Sequence, residues 1–113
     1  MKTILLVLTM TILGIVAHAQ TTSLVVKTQI YCSHCAKCGS CEPLIQKQVL
    51  TTVKGTKSVV LDVIAMTITV VYDAKLATPD DIRTAISNAG YDADEVKANM
   101  SAYVALDGCC KKK

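Results

Sequence analysis

The chain has 113 residues, of which 51% are hydrophobic, and it contains neither tryptophan nor phenylalanine. This length allows one domain at most, and its core must be built from aliphatic side chains. The formal net charge is only +3, and three of the positive charges are the terminal lysines at 111–113. No basic face therefore remains for nucleic acid, and we expect no nucleic-acid partner.

Residues 1–19 have the pattern of a secretory signal peptide. Lys2 gives a positive start, an apolar run follows over Ile4–Val16, and Ala17–Ala19 is a small-x-small cleavage signature. The run is shorter than the roughly 20 residues that cross a bilayer. We therefore expect cleavage before Gln20, no membrane anchor afterwards, and a periplasmic or secreted protein. In that compartment metal binding and disulfide formation compete for cysteine.

The first half of the remaining chain predicts a strand, a cysteine loop and a helix. Apolar and polar side chains alternate over Leu24–Ile30, as in a half-buried strand. Apolar residues recur four apart over Ile45–Val53, and Pro43 suits only the first turn of the helix that this spacing predicts. The helix then starts against Cys38 and Cys41, where its partial positive charge stabilises thiolate over thiol.

The second half predicts a hairpin, a second helix and a last strand. Alternating runs at Val59–Val63 and Met66–Tyr72 form the hairpin. Thr78–Asp81 has the order of an N-cap, a first-turn proline and two acids, and Gly90 follows the apolar face of that helix. Tyr91–Val96 predicts a short strand that completes the sheet.

This order predicts an α+β domain of the ferredoxin-like βαββαβ class, with a four-stranded antiparallel sheet and two helices on one face. The domain spans residues 20–96, and a C-terminal tail at 97–113 carries a short helix capped by Asn99. Eight aliphatic residues are predicted to form the core and to hold the fold without metal: Val26, Ile30, Ile45, Val49, Leu61, Val70, Ile82 and Ile86.

Four of the six cysteines, Cys32, Cys35, Cys38 and Cys41, stand in one loop with two residues between neighbours. Thiolates at this spacing can converge on a soft or borderline cation, which predicts a site for Cu(I), Zn(II) or Hg(II). His34 is either a further ligand or an exposed loop residue. A disulfide between loop cysteines is the structural alternative. A bond between two cysteines with only two residues between them closes a very small ring, which constrains the unfolded chain little.

The tail carries the last two cysteines, Cys109 and Cys110. A last strand antiparallel to the first would end away from the loop, but a short helix and a few extended residues are long enough to return. We therefore predict that both cysteines approach the loop and add thiolates or a resolving disulfide. The alternative is a frayed tail whose cysteines neither bind metal nor pair with the loop.

Residues 24–96 resemble the heavy-metal-associated domain family of periplasmic mercury-binding proteins, copper chaperones and the N-terminal domains of metal-pumping ATPases. The landmarks are cysteines after the first strand, Val53–Gly55 at the end of the first helix, Tyr72–Asp73 ending the third strand, and Ala89–Tyr91 after the second helix. The resemblance implies soft-metal binding by a Cys-x-x-Cys pair, no catalysis, and a metal-transporting membrane protein as partner.

The chain departs from the family pattern in two ways. Ile30 stands where the family has methionine, and four loop cysteines replace two. Cys32 and Cys35 follow the first strand as the family's pair does, whereas Cys38 and Cys41 meet the helix as that pair does. The extended loop and the C-terminal Cys-Cys resemble a variant found in exported proteins of this type, so which pair inherits the role stays open.

Two other functions use closely spaced cysteines. A [4Fe–4S] electron carrier usually has three residues before its last cysteine, which this loop lacks. A thiol–disulfide oxidoreductase places a cis-proline beside its pair, whereas Pro43 and Pro79 fall in the two predicted helices. A nucleophilic enzyme is not indicated, because His34 has no serine–acid partner pattern around it.

Overall fold

The computed structural model of the protein describes residues 20–31, 41–106 and 110–111. Six elements follow one another in the chain: β1 (Thr21–Lys27), α1 (Cys41–Thr52), β2 (Thr56–Asp62), β3 (Thr67–Asp73), α2 (Pro79–Asn88) and α3 (Met100–Val104). The predicted leader at 1–19 lies outside the described residues. Within them, none of the helices has the length and apolar character needed to cross a membrane.

The sheet is antiparallel and has β3 at its centre, in the order β1-β3-β2. Ile68 of β3 lies opposite Val26 of β1 on one side and Leu61 of β2 on the other. Alternate side chains of the strands point to one face, where they join the apolar side chains of α1 and α2 in a single core. All eight predicted core residues are buried, which confirms that part of the prediction.

The helix ends follow from local hydrogen bonds, as the sequence predicted for α2. The Asp81 N–H donates to Thr78 Oγ1 at 3.2 Å, and the Thr78 N–H donates to Asp81 Oδ2 at 2.9 Å, which closes a capping box. Gly90 follows with φ +101°, and a Cβ there would lie 3.1 Å from the backbone of Ala102. The absence of a side chain at Gly90 therefore lets α3 pack directly on the end of α2.

The strand predicted at Leu24–Ile30 lies three residues earlier in the structure, at Thr21–Lys27. The shift arises at the hairpin, where Met66 adopts a φ of +55° and ends the regular pairing of β3. Beyond Lys27 the chain still follows Met66, because the Thr28 N–H donates to the Met66 carbonyl at 3.0 Å and the Ile30 N–H points at Met66 Sδ at 3.3 Å.

The prediction of a fourth strand at Tyr91–Val96 is wrong. Ala93 and Val96 bond to each other through both backbone groups, at 2.8 and 2.9 Å, so the chain turns back between them. Asp94 occupies the turn with φ +53°, a conformation that aspartate tolerates better than most residues. The described sheet therefore has three strands, and the chain reverses after touching β1 at one residue.

The Asp94 carboxylate fixes the place of this reversal. It accepts hydrogen bonds from the Lys27 N–H at 2.8 Å and from Arg83 Nε at 2.9 Å, and the Asp94 N–H donates to the Lys27 carbonyl at 2.8 Å. Burial by itself raises the pKa of Asp94, but the bonds from Lys27 and Arg83 outweigh it and hold the pKa below 3.8. The ionised carboxylate is therefore the form that stabilises the turn.

Two bonds hold the returning segment against Ser87 of α2, and a third lies within the segment itself. The Ser87 hydroxyl donates to the Lys97 carbonyl at 2.7 Å, the Asn99 N–H donates to the Ser87 carbonyl at 2.9 Å, and the Ala98 N–H donates to Asp92 Oδ1 at 2.9 Å. Asn99 then caps α3 through its side chain, as predicted. These bonds direct the C-terminal tail toward the end of the sheet where the cysteine loop begins.

We predict that Asp94→Asn lowers the free energy of unfolding by about 1–2 kcal/mol at pH 7, because both charge-assisted bonds weaken. Since the folded pKa lies below the unfolded one, the carboxylate contributes its stability above pH 3.8 and loses it as the pH falls through the folded pKa. Urea unfolding of wild type and variant should therefore converge below pH 3.8. Glu95→Gln, the same charge change at the exposed neighbour, is the control, and an equal loss in both variants would contradict the assignment.

Candidate metal centre

The structure fixes both ends of the cysteine loop. Ile30, three residues beyond the end of β1, is buried, and Tyr31 follows it at the surface. At the other end Cys41 is the first residue of α1 and is wholly buried. Residues 32–40 thus connect the top of β1 to the start of a helix, and their predicted ligands Cys32, His34, Cys35 and Cys38 lie outside the described residues.

Cys41 is joined by a disulfide to Cys110, 69 residues later, with a Cα–Cα distance of 6.7 Å. Their exposed fractions are 0% and 3%, so the bond lies in the core. The predicted return of the tail to the loop therefore occurs at Cys110. Cys109 lies outside the described residues.

This pairing changes the number of thiols available to a metal ion. A cysteine in a disulfide has no thiolate to offer, so Cys41 and Cys110 can serve as ligands only after reduction. Their predicted ligand role stays a prediction. In the described part of the chain, no three His, Cys, Asp or Glu side chains come together as a metal site.

A cleft of about 300 Å³ lies beside the disulfide. Its walls include Tyr31, which precedes the loop, together with Tyr91, Met100, Tyr103 and Cys110. The cleft therefore borders both the start of the cysteine loop and the end of the tail. No local sequence pattern indicates this cleft, because it forms only when the chain reverses at Asp94 and α3 folds over the end of α2.

The polar groups at the opposite side of this region serve the fold. Arg83 bridges Asp94 at 2.9 Å and Asp80 at 3.1 Å, and the hydrogen bond that Arg83 donates to Asp94 is the main cause of the raised pKa of Arg83. None of these side chains borders the cleft.

No family model matches the chain, and no curated protein matches it either. Solved structures do match in fold. The metallochaperone CopZ is 19% identical with a TM-score of 0.52, over 64% of this chain and 98% of CopZ. A putative copper-ion-binding protein from Bacillus anthracis str. Ames is 23% identical with a TM-score of 0.55, over 68% of this chain and all of that protein.

Oxidized MerP from Ralstonia metallidurans CH34 is 19% identical with a TM-score of 0.53, over 66% of this chain and 94% of MerP. At these identities the likeness establishes the fold alone. The chain has the ferredoxin-like fold of heavy-metal-associated domains, but the fourth strand of that fold is missing from the described sheet.

We predict that Cys110→Ala lowers the free energy of unfolding by about 4 kcal/mol, because the disulfide closes a ring of some 70 residues in the unfolded chain. Guanidinium unfolding under non-reducing conditions measures the change. Cys109→Ala is the matched control, since it removes the neighbouring cysteine and leaves the Cys41–Cys110 bond intact. Equal stability of the two variants would contradict the pairing, as would a non-reduced peptide map that links Cys41 to another cysteine.

Proposed function

We propose that this chain is an exported protein that captures a soft metal ion, or passes it on, through cysteine thiolates of the loop between β1 and α1. The position of that loop is the observation that carries the proposal. Its cysteines follow buried Ile30, which comes shortly after β1, and the last of them, Cys41, is buried at the start of α1, in a fold shared with a metallochaperone. The helix N-terminus favours thiolate over thiol at this place.

The disulfide divides the cysteines into two groups. Cys41 and Cys110 hold the tail to α1, which leaves Cys32, Cys35, Cys38 and Cys109 as candidate thiolate ligands, with His34 as a candidate nitrogen ligand. Two thiolates in a near-linear arrangement favour Cu(I) or Hg(II), whereas four around one ion favour Zn(II). Cu(I) is our first candidate, because a putative copper-ion-binding protein and a copper-binding domain of a P-type ATPase share the fold.

The activity that we propose is binding and transfer, without catalysis. A metal-transporting membrane protein is the partner that fits, because the water-soluble region of the P-type ATPase CopA from Bacillus subtilis shares the fold. The leader at 1–19 and the location outside the cytoplasm belong to the same proposal. Their support is the sequence pattern of a positive start, an apolar run and a small-x-small site.

A thiol–disulfide redox protein is the second candidate, because the structure contains a disulfide at a helix start. Such an enzyme needs a bond that a substrate thiolate can reach. Cys41 has an exposed fraction of 0%, and both prolines lie in the first turns of α1 and α2. Burial of the Cys41–Cys110 bond favours a structural role for it. Catalytic reduction of insulin disulfides by the protein, with multiple turnovers, would instead support a redox enzyme.

The test of metal binding is native mass spectrometry with Cu(I), Zn(II) and Hg(II) in turn. We predict about one ion per chain, held with the Cys41–Cys110 bond intact. Replacing Cys32, Cys35 and Cys38 together by serine should abolish binding, while the far-ultraviolet spectrum stays that of a folded domain.

The matched control for this test is the double variant Cys41→Ser, Cys110→Ser, which removes the disulfide and keeps the three other loop cysteines. It should retain one ion per chain. Undiminished binding in the triple variant would overturn the proposal, and loss of binding in the double variant alone would move the site to the buried pair.

A further inference from the structure

The backbone groups of β1 point alternately to its two edges. The Thr28 N–H donates to the Met66 carbonyl and the Ala74 N–H donates to the Gln20 carbonyl, so even-numbered residues of this segment bond to β3. In an antiparallel ladder the intervening residues turn both backbone groups the other way. Four residues of β1 therefore face the outer edge: Thr21, Ser23, Val25 and Lys27.

Lys27 has partners at that edge and the other three do not. Its N–H donates to Asp94 Oδ1 and its carbonyl accepts from the Asp94 N–H, each at 2.8 Å. The chain then turns away at Asp94, where a fourth strand would have continued along β1. No described residue bonds to the backbone groups of Thr21, Ser23 or Val25 at this edge, and all three residues are exposed.

The opposite edge of the sheet is protected in a way that β1 is not. On β2, Gln46 Nε2 donates to the outward carbonyl of Val59 at 2.9 Å, and the strand itself contains the charged residues Lys57 and Asp62. Such charges and capping groups discourage an edge strand from pairing with another chain. Residues 20–26 carry no charged side chain, so the free part of β1 has neither safeguard.

We propose that the outer edge of β1 pairs with the same edge of a second copy of this chain, about a two-fold axis. The three outward residues determine the register. Ser23 lies opposite Ser23 of the second copy, Thr21 lies opposite its Val25, and Val25 lies opposite its Thr21. Each of these three pairs exchanges two hydrogen bonds, so six bonds satisfy every outward N–H and C=O of Thr21, Ser23 and Val25 in both copies.

Side chains agree with this register. Val25 is 57% exposed on the face of the sheet away from the helices, and it gains the Thr21 methyl group of the second copy as a neighbour. Lys27 falls beyond Gln20 of the second copy, so no charged side chain lies opposite a side chain of like charge. The result is one continuous sheet of six strands, in which antiparallel pairing places the Tyr31 ends of the two β1 segments at opposite sides of the interface.

The test is sedimentation equilibrium of protein purified after expression of the full 113-residue sequence. Iodoacetamide blocks free thiols and a chelator removes metal, so that neither an intermolecular disulfide nor a bridging ion contributes. Because the interface is small, we expect a dissociation constant on the order of 0.1–1 mM. A monomer at about 1 mM protein would overturn the proposal.

Two substitutions at the centre of the edge separate backbone pairing from other association. Ser23→Pro removes the outward N–H without touching the bonds to β3 and should weaken the dimer about tenfold or more, since one bond is lost from each copy. Ser23→Ala keeps the backbone and should leave the dimer unchanged. Equal dimerisation of the two variants would overturn the proposal.

Amide hydrogen exchange of the wild-type protein covers the case in which the proline variant fails to fold. Exchange at Thr21, Ser23 and Val25 should slow as protein concentration rises, while the outward amides of β2 keep their rates. Concentration-independent exchange at the three residues would equally overturn the pairing. Because neither measurement involves metal, the outcome is independent of the proposed metal binding.

Discussion

The reversal at Asp94 is the feature on which the rest of the structure depends. One carboxylate bonds to the backbone of β1 and to an arginine of α2, and its residue adopts a left-handed backbone conformation. Without this turn the chain would continue along β1 and end at the far side of the sheet. With it, the tail returns to the start of α1, closes the disulfide and builds the cleft beside the cysteine loop.

The chain after α2 thus forms no fourth strand in the described sheet, and its tail forms a disulfide with α1 instead. A fourth strand would have satisfied the outer edge of β1 with a regular ladder, and its absence leaves three residues of that edge without described partners. The tail instead contributes a buried sulfur at the helix start and the tyrosine and methionine walls of the cleft. Stability that a neighbouring strand would supply comes instead from a covalent cross-link between Cys41 and Cys110.

Features set by neighbours in the sequence were predictable, and those set by distant contacts were not. Thr78, Pro79 and Asp81 act within one helical turn, and the spacing of Ile82 and Ile86 alone indicates a buried face. Asp94 has no such local signal, because its partners Lys27 and Arg83 lie 67 and 11 residues away. The same limit applies to the pairing of Cys41 with Cys110, since six cysteines permit many connectivities.

The disulfide also divides the chain into two parts, one that is closed into a covalent ring and one that is not. The bond between residues 41 and 110 closes a covalent ring that contains both helices of the core, the β2–β3 hairpin and α3. Among the described elements β1 alone lies outside the ring, and it is an edge strand paired with β3 and bonded to Asp94 only through Lys27. Force applied at the N-terminus would peel β1 away by breaking its hydrogen bonds one after another, while the ring kept its shape. The segment that carries Cys32, Cys35 and Cys38 is the covalent link between β1 and the ring, so three of the four proposed thiolate ligands lie in that link.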